Sequence, residues 1–193
     1  ERFMSMIEGK KRQIDEEIRR LKNMKRFILH EEESVRLAMN TALDEPRLVE
    51  RDREYLLVSD ISAGLERKAA VEIAEHVRMQ EKYNGAVGAV GSIYLGEDLE
   101  RGIYDRCVKV YTRLDKKTVS HRVQNRPEGT YVELYSRGHL WNMEKSYRLI
   151  TAFAGERGIR LGKIWYEDLM LDELTVKAYE QYIAKVMVPV GNP

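Results

Sequence analysis

The sequence has little of what defines several protein classes. It contains one cysteine, Cys107, so no intrachain disulfide can form and a disulfide-stapled secreted scaffold is excluded. Its 4 prolines and 13 glycines are too few for a collagen-like chain, and 43% hydrophobic residues are too many for a largely disordered one. No apolar run approaches the roughly 18–20 residues that span a membrane, and no secretory leader is recognised. These absences predict a cytoplasmic globular protein with no membrane partner.

The chain also lacks an excess of charge of either sign. Lys and Arg number 33 and Asp and Glu number 32, which gives a net charge of +1. A protein that binds polyanions over its surface is usually more basic. The balance therefore gives no indication of nucleic-acid binding by these residues.

Motifs for catalysis and metal binding are also missing. The four histidines, His30, His76, His121 and His139, are not spaced with Cys or one another as in a metal site. The glycine-rich run 85–91 follows a helix and lacks the Lys-Ser/Thr of a phosphate loop, so we interpret it as a hinge and connection. Cys107 has no nearby base. We predict no metal, no cofactor, no catalytic residue and no enzymatic activity.

A long amphipathic helix is predicted over residues 1–42. It carries an apolar seam of heptad character, formed by Ile7, Ile14, Ile18, Leu21, Met24 and Ile28. One stripe cannot bury itself, so the seam packs either on its own domain or on a second chain. We favour homodimerisation. The pattern is already helical at Glu1, from which we expect a fragment or a processed chain.

After Pro46 the periodicity changes, and residues 46–190 predict an α+β domain. Strands are predicted at 54–59, 92–95, 105–112, 130–135, 163–169 and 182–188, with helices over 65–77 and from Asn142 to Phe153. Ile93-Tyr94 matches Ile164-Trp165, so the order reads as two pseudo-symmetric β-α-β-β units. Pairing them gives one sheet with helices on one side.

Strand alternation predicts which side chains share a face. With Val132, Leu134, Val108, Val110, Val186 and Val188 under the helices, aromatic and charged side chains are expected on the helix-free face. The candidate ligand-binding residues are Glu167, Trp165, Tyr111, Tyr135, Glu133, Tyr131, Tyr94, Trp141 and Met187. They would form an aromatic cleft with carboxylates, suited to a flat or cationic ligand. The alternative is an ordinary half-exposed strand surface, on which Tyr, Trp and Glu are common.

The order of elements resembles the MerR-family multidrug-binding transcriptional regulators, with residues 46–190 similar to their GyrI-like effector domain. The resemblance is carried by Gly162-Lys-Ile-Trp-Tyr-Glu167, by Ala184-Lys-Val-Met-Val-Pro189 and by Arg137-Gly138-His139. It implies that Glu167 contacts cationic drugs and that residues 1–42 form a coiled coil across a dimer. The family's winged helix-turn-helix is absent from this sequence, so promoter DNA is implied as a partner only for a longer parent.

Three functions remain at this stage. The first is the ligand-sensing and dimerisation portion of a bacterial activator that binds a lipophilic, cationic effector. The second is a hydrolase like some GyrI-like proteins, with Glu133 or Glu167 as general base. The third is a passive protein that binds a toxic compound.

Overall fold

The computed structural model describes residues 2–62, 67–80, 83, 86–115, 117–137, 143–171 and 176–191. The four α-helices and eight strands are α1 (Arg2–Asn40), β1 (Arg47–Arg51), β2 (Glu54–Asp60), α2 (Arg67–Gln80), β3 (Ala86–Leu95), α3 (Gly96–Glu100), β4 (Lys109–Leu114), β5 (Val123–Arg126), β6 (Gly129–Arg137), α4 (Glu144–Glu156), β7 (Ile164–Leu171) and β8 (Ile183–Pro189). A short 3-10 helix at Tyr179–Gln181 precedes β8.

The strands form one antiparallel sheet in the order β1-β6-β8-β7-β3-β4-β2-β5. Its elements β2-α2-β3-β4 and β6-α4-β7-β8 are the two predicted β-α-β-β units, and the α+β fold is confirmed. The units join where β3 pairs with β7, and Tyr94 lies opposite Trp165 there. The edge strands β1 and β5 were not predicted, because Arg47–Arg51 and Val123–Arg126 are short and largely polar.

The glycine-rich run was predicted as a connection, and that prediction is wrong: residues 86–91 belong to β3. Gly91 pairs with Tyr111 across the sheet, and a Cβ there would lie 2.4 Å from the Tyr111 ring. The glycine therefore provides space for an aromatic neighbour. The short helix α3 lies between β3 and β4, where the sequence predicted no regular element.

The sheet has a helix face and a concave face. The helix face carries Val132, Leu134, Val186 and Val188, which pack with helix residues such as Ile150 in the main core. The concave face carries Leu56, Val58, Ile93, Tyr111, Tyr131, Tyr166 and Met187. The sheet curls about this second face, since the guanidinium of Arg126 in edge strand β5 lies 5.2 Å from the ring centre of Tyr166 in β7, which is four strands away in the sheet order.

The predicted alternation of side chains between the two faces of the sheet is wrong just before β4. Val108 and Val110 were predicted to share the helix face, with Cys107 opposite. Instead Cys107 and Val110 lie in the main core, and Val108 packs with the concave-face residues. A bend at Val108 precedes the strand, so the pleat that fixes alternation begins only at Lys109.

The C-terminal end of α1 packs on the domain, and most of its length does not. Ala38 is buried against a cluster that includes Tyr135, Met170 and Ile183. Asp44, with φ of 63°, follows the helix, and its carboxylate accepts hydrogen bonds from Ser136 and Lys145. The predicted seam residues are all 44–61% exposed.

Candidate functional site

The structure divides the predicted cleft between the two faces of the sheet. Tyr94 and Trp165 belong to the main core on the helix face, and Glu167 pairs with Val186 of that core. The concave face carries five of the other candidates, which are Tyr111, Tyr131, Tyr135, Glu133 and Met187. Trp141 lies outside the described residues.

The prediction that Glu167 and Trp165 lie on the helix-free face is therefore wrong. Alternation correctly grouped Trp165 with Glu167 on one face of β7. It did not determine which face of β7 meets the helices, because each face of this strand carries one carboxylate among apolar and aromatic side chains. The register with β8 decides this, since it sets Glu167 beside Val186.

Glu167 is a buried carboxylate, 5% exposed, with one hydrogen-bond partner among the described residues. The phenol of Tyr94 donates to its Oε2 atom at 2.9 Å. Burial raises the pKa of Glu167 to about 7, against the lowering effect of the Tyr94 hydrogen bond, and Asp168 raises it further. No described lysine or arginine forms an ion pair with it, so near neutral pH the group is poised between its two protonation states.

Aromatic rings lie in the same core as Glu167. Trp165, two residues along β7, is 2% exposed, and its ring lies 5.3 Å from that of Tyr147 in α4. Tyr147 in turn lies 5.8 Å from Tyr104. The Cys107 thiol is also nearby, and burial together with Glu167 raises its pKa to about 11. The thiol is thus protonated near neutral pH.

Helices cover this group of side chains. Ala69 and Ile73 of α2 and Ile150 of α4 pack in the same core. A ligand can reach Glu167 only if part of this covering layer moves, because the carboxylate is almost fully enclosed.

A buried polar network fixes α2 to the sheet. His76 of α2 is 1% exposed and is hydrogen-bonded through Nδ1 to Ser59 Oγ at 2.9 Å and through Nε2 to Thr112 Oγ1 at 3.1 Å. Gln80 donates to the same threonine. Burial lowers the pKa of His76 to about 4, helped by Arg122, so the ring is neutral at physiological pH.

The carboxylates of the concave face differ from Glu167 because they have cationic partners. Glu133 is fully buried and is paired with Arg47 at 2.7 Å and with Arg51. The positive charges of Arg47 and Arg51 thus balance the charge of Glu133, which was the other carboxylate considered as a ligand-binding residue or general base.

Asp168 is the second buried carboxylate of this face. Its Oδ2 lies 2.8 Å from Lys185 Nζ, and Tyr111 donates to its Oδ1 at 2.6 Å. Lys185, Arg113 and Arg126 hold the pKa of Asp168 well below its usual range, although burial opposes them. The sequence alone does not show this pairing, because it depends on the register of β7 with β8, which sets Asp168 opposite Lys185.

Among the described residues, no group of three His, Cys, Asp or Glu side chains could hold a metal ion. None of the described helices has the length and hydrophobicity needed to cross a membrane.

No protein-family model matches the chain. The multidrug-efflux transporter 2 regulator of Bacillus subtilis is 26% identical over 193 residues, covering 98% of this chain and 70% of that protein. The structure of EcmrR in a DNA complex matches 97% of this chain and 72% of its own, with a TM-score of 0.58 at 12% identity.

Two smaller structures share the fold of the domain. The C-terminal domain of EcmrR matches 77% of this chain and 98% of its own, with a TM-score of 0.61 at 12% identity. A hydrolase from Listeria innocua matches 79% of this chain and 95% of its own, with a TM-score of 0.51 at 12% identity. Along its sequence the chain is similar to a multidrug-efflux transporter regulator, and its architecture, a long helix followed by an α+β domain with the GyrI-like fold, is shared with the EcmrR structures.

Proposed function

We propose that the chain is the ligand-sensing and dimerisation portion of a cytoplasmic bacterial transcription activator, and that it binds a lipophilic cation beside Glu167. Residues 46–190 would be the sensor and residues 1–42 the dimerisation helix. The observation that carries the proposal is a buried carboxylate with no cationic partner among the described residues, set in a core that also holds aromatic rings.

The energetics favour a cationic ligand at this position. A buried carboxylate without a counter-charge is costly when ionised, and here the cost appears as a raised pKa. A lipophilic cation would supply the missing charge and would stack on Trp165 or Tyr147, each contact contributing about 0.5–2 kcal/mol. A neutral compound of the same shape gains the apolar contacts but not the ion pair.

In this proposal, ligand binding would be coupled to movement of the covering layer, to which α2 contributes. Glu167 is enclosed by a core to which α2 contributes Ala69 and Ile73, so a bound cation must favour a state in which this layer is displaced. A ligand shifts a conformational equilibrium by its difference in affinity for the two states. The sensor thereby gains two arrangements that can bias a regulator.

The exposed seam of α1 supports homodimerisation. Its residues recur at heptad spacing and are 44–61% exposed, and none of them belongs to the hydrophobic core clusters of the described residues. A dimer would transmit the state of the sensor to promoter DNA through the DNA-binding domain of a longer parent, by reshaping the promoter.

The experiment is a titration with methyltriphenylphosphonium, with neutral triphenylphosphine oxide as the matched ligand, followed by Trp fluorescence. We expect the cation alone to bind with high affinity. Because binding favours the ionised carboxylate, affinity should level off above about pH 7 and fall as pH drops below it, in total by about the factor that the permanently neutral Glu167→Gln loses. Glu167→Gln should weaken the cation about tenfold or more and remove this pH dependence. Equal affinity of the variant for the cation, or an unchanged pH profile, would contradict the proposal.

One observation favours a second function. A carboxylate whose pKa is about 7 is suited to act as a general base, and the Listeria hydrolase shares the fold. Recovering the compound after incubation distinguishes the two functions. Conversion of an ester substrate that is lost in Glu167→Gln would favour a hydrolase, and recovery of intact ligand favours the sensor.

A further inference from the structure

We propose that the concave face of the sheet carries a second ligand site, which binds a small apolar organic anion. The site is a groove of about 420 Å³ whose apolar wall includes Leu56, Ile93, Ile164 and Tyr166. Its volume is in the range of small-molecule sites, which are mostly apolar with a few polar groups. Ile93 and Tyr166 belong to the concave-face cluster, so the sheet separates this groove from Glu167.

The charges around the groove are positive. Lys109 and Lys163 line it together with the neutral amides of Gln124 and Asn125, and none of its described lining residues is acidic. Lys163 has no ion-pair partner among the described residues. The Nζ atom of Lys109 lies 3.3 Å from Oδ1 of Asp60. Because the Asp60 side chain is 86% exposed, this ion pair is weak and leaves most of the positive charge of Lys109 available. An anionic head group can contact either ammonium while its apolar part lies against the wall.

Arg126 supplies a buried cation beside the groove. It lies between Asn125 and Pro127, both of which line the groove, and its guanidinium is 5.2 Å from the centre of the Tyr166 ring. Its Nη2 atom pairs with Glu54, whereas Nε and Nη1 are buried and have no hydrogen-bond partner. Leaving such donors unpaired is costly. Arg126 is not itself among the residues that line the groove, so it would attract an anion there through its positive charge and not through a direct hydrogen bond.

The inference does not depend on the proposed role of Glu167. The two sites differ in the sign of their charge and lie on opposite faces of the sheet, so each can be lost without the other. The second site would allow the domain to bind an anionic and a cationic apolar molecule at once.

The test uses anilinonaphthalene sulfonate as the anion and phenylnaphthylamine, the same scaffold without the sulfonate, as the neutral control. We expect one saturable site that prefers the sulfonate and weakens with added salt. The double variant Lys109→Gln with Lys163→Gln should weaken the sulfonate about fivefold, since these are rim charges. Arg126→Gln should weaken it about tenfold, with folding checked by circular dichroism.

Two further measurements place the site. Methyl NMR should show shifts at Ile93 and Ile164 and none at Ile150, which lies in the core on the other face. Glu167→Gln and saturating methyltriphenylphosphonium should leave sulfonate binding unchanged. Equal binding of the neutral control, no effect of the lysine variant, or displacement by the cation would overturn the inference.

Discussion

At the scale of single residues, the three buried carboxylates of the sheet behave differently because of their partners. Glu133 and Asp168 are paired with cations, which offset the cost of burial. Glu167 is adjacent to Asp168 in sequence but points to the opposite face, where it meets a phenol in place of a cation. The pleat of one strand therefore separates a stably ionised carboxylate from one with a pKa of about 7.

This difference predicts a pH-dependent gain in stability for Glu167→Gln. The folded-state pKa of about 7 lies above the ordinary value of 4.5, so the folded protein binds the proton more tightly. The contribution of this group to stability is complete below the unfolded pKa and is lost as pH rises to about 7, by roughly 3 kcal/mol. Gln does not titrate.

Chemical denaturation of both proteins should therefore show the free energies of unfolding diverging between about pH 5 and pH 8, in favour of Gln. Other groups titrate in both proteins and cancel in the difference. A constant difference over this range would mean that Glu167 is not destabilised by burial.

At the scale of elements, α2 contacts both the core around the proposed ligand site and the strands β2 and β4. Its apolar residues Ala69 and Ile73 pack in the core that contains Trp165, and His76 fixes it to β2 and β4 through Ser59 and Thr112. The free energy needed to move α2 therefore depends on a polar network that does not touch the proposed ligand.

We predict that His76→Ala will accelerate cation binding. Removing the two hydrogen bonds of the ring lowers the free energy of opening by about 1–3 kcal/mol, and apparent affinity rises with the fraction of open molecules. Stopped-flow fluorescence with methyltriphenylphosphonium measures the rate, and hydrogen exchange in α2 measures the opening. Val77→Ala, at a 45% exposed position of the same helix, is the matched control. Equal rates for wild type and His76→Ala would show that α2 does not limit access.

At the scale of the whole molecule, the chain combines a sheet that encloses its core with a helix that leaves its seam exposed. The seam extends from Ile7 to Ile28. Its last part overlaps the stretch of α1 that contacts the domain, which runs from the Arg26–Asp115 ion pair to the buried Ala38. A partner helix that covered the seam would stabilise the assembly, because each Å² of apolar surface removed from water contributes about 25 cal/mol.

We predict that Ile14→Glu will convert a dimer into a monomer. A charge at the centre of the seam cannot be buried without a large cost. Sedimentation velocity measures the mass, and Val119→Glu, at a 97% exposed position outside α1, is the control. A monomeric wild type, or an Ile14→Glu variant that stays dimeric, would contradict dimerisation through this seam.

The sequence by itself determined the long helix, the two β-α-β-β units and the alternation within most strands. These depend on local periodicity, which neighbouring residues determine. It also singled out Glu167. Tertiary structure decided the face on which Glu167 lies, its bond to Tyr94 and the pairing of Asp168 with Lys185, because strand order and register bring together residues far apart in the chain. The sequence could not show that the residues of the predicted cleft are divided between the two faces of the sheet. An alternating strand has the same pattern whichever of its faces packs under the helices.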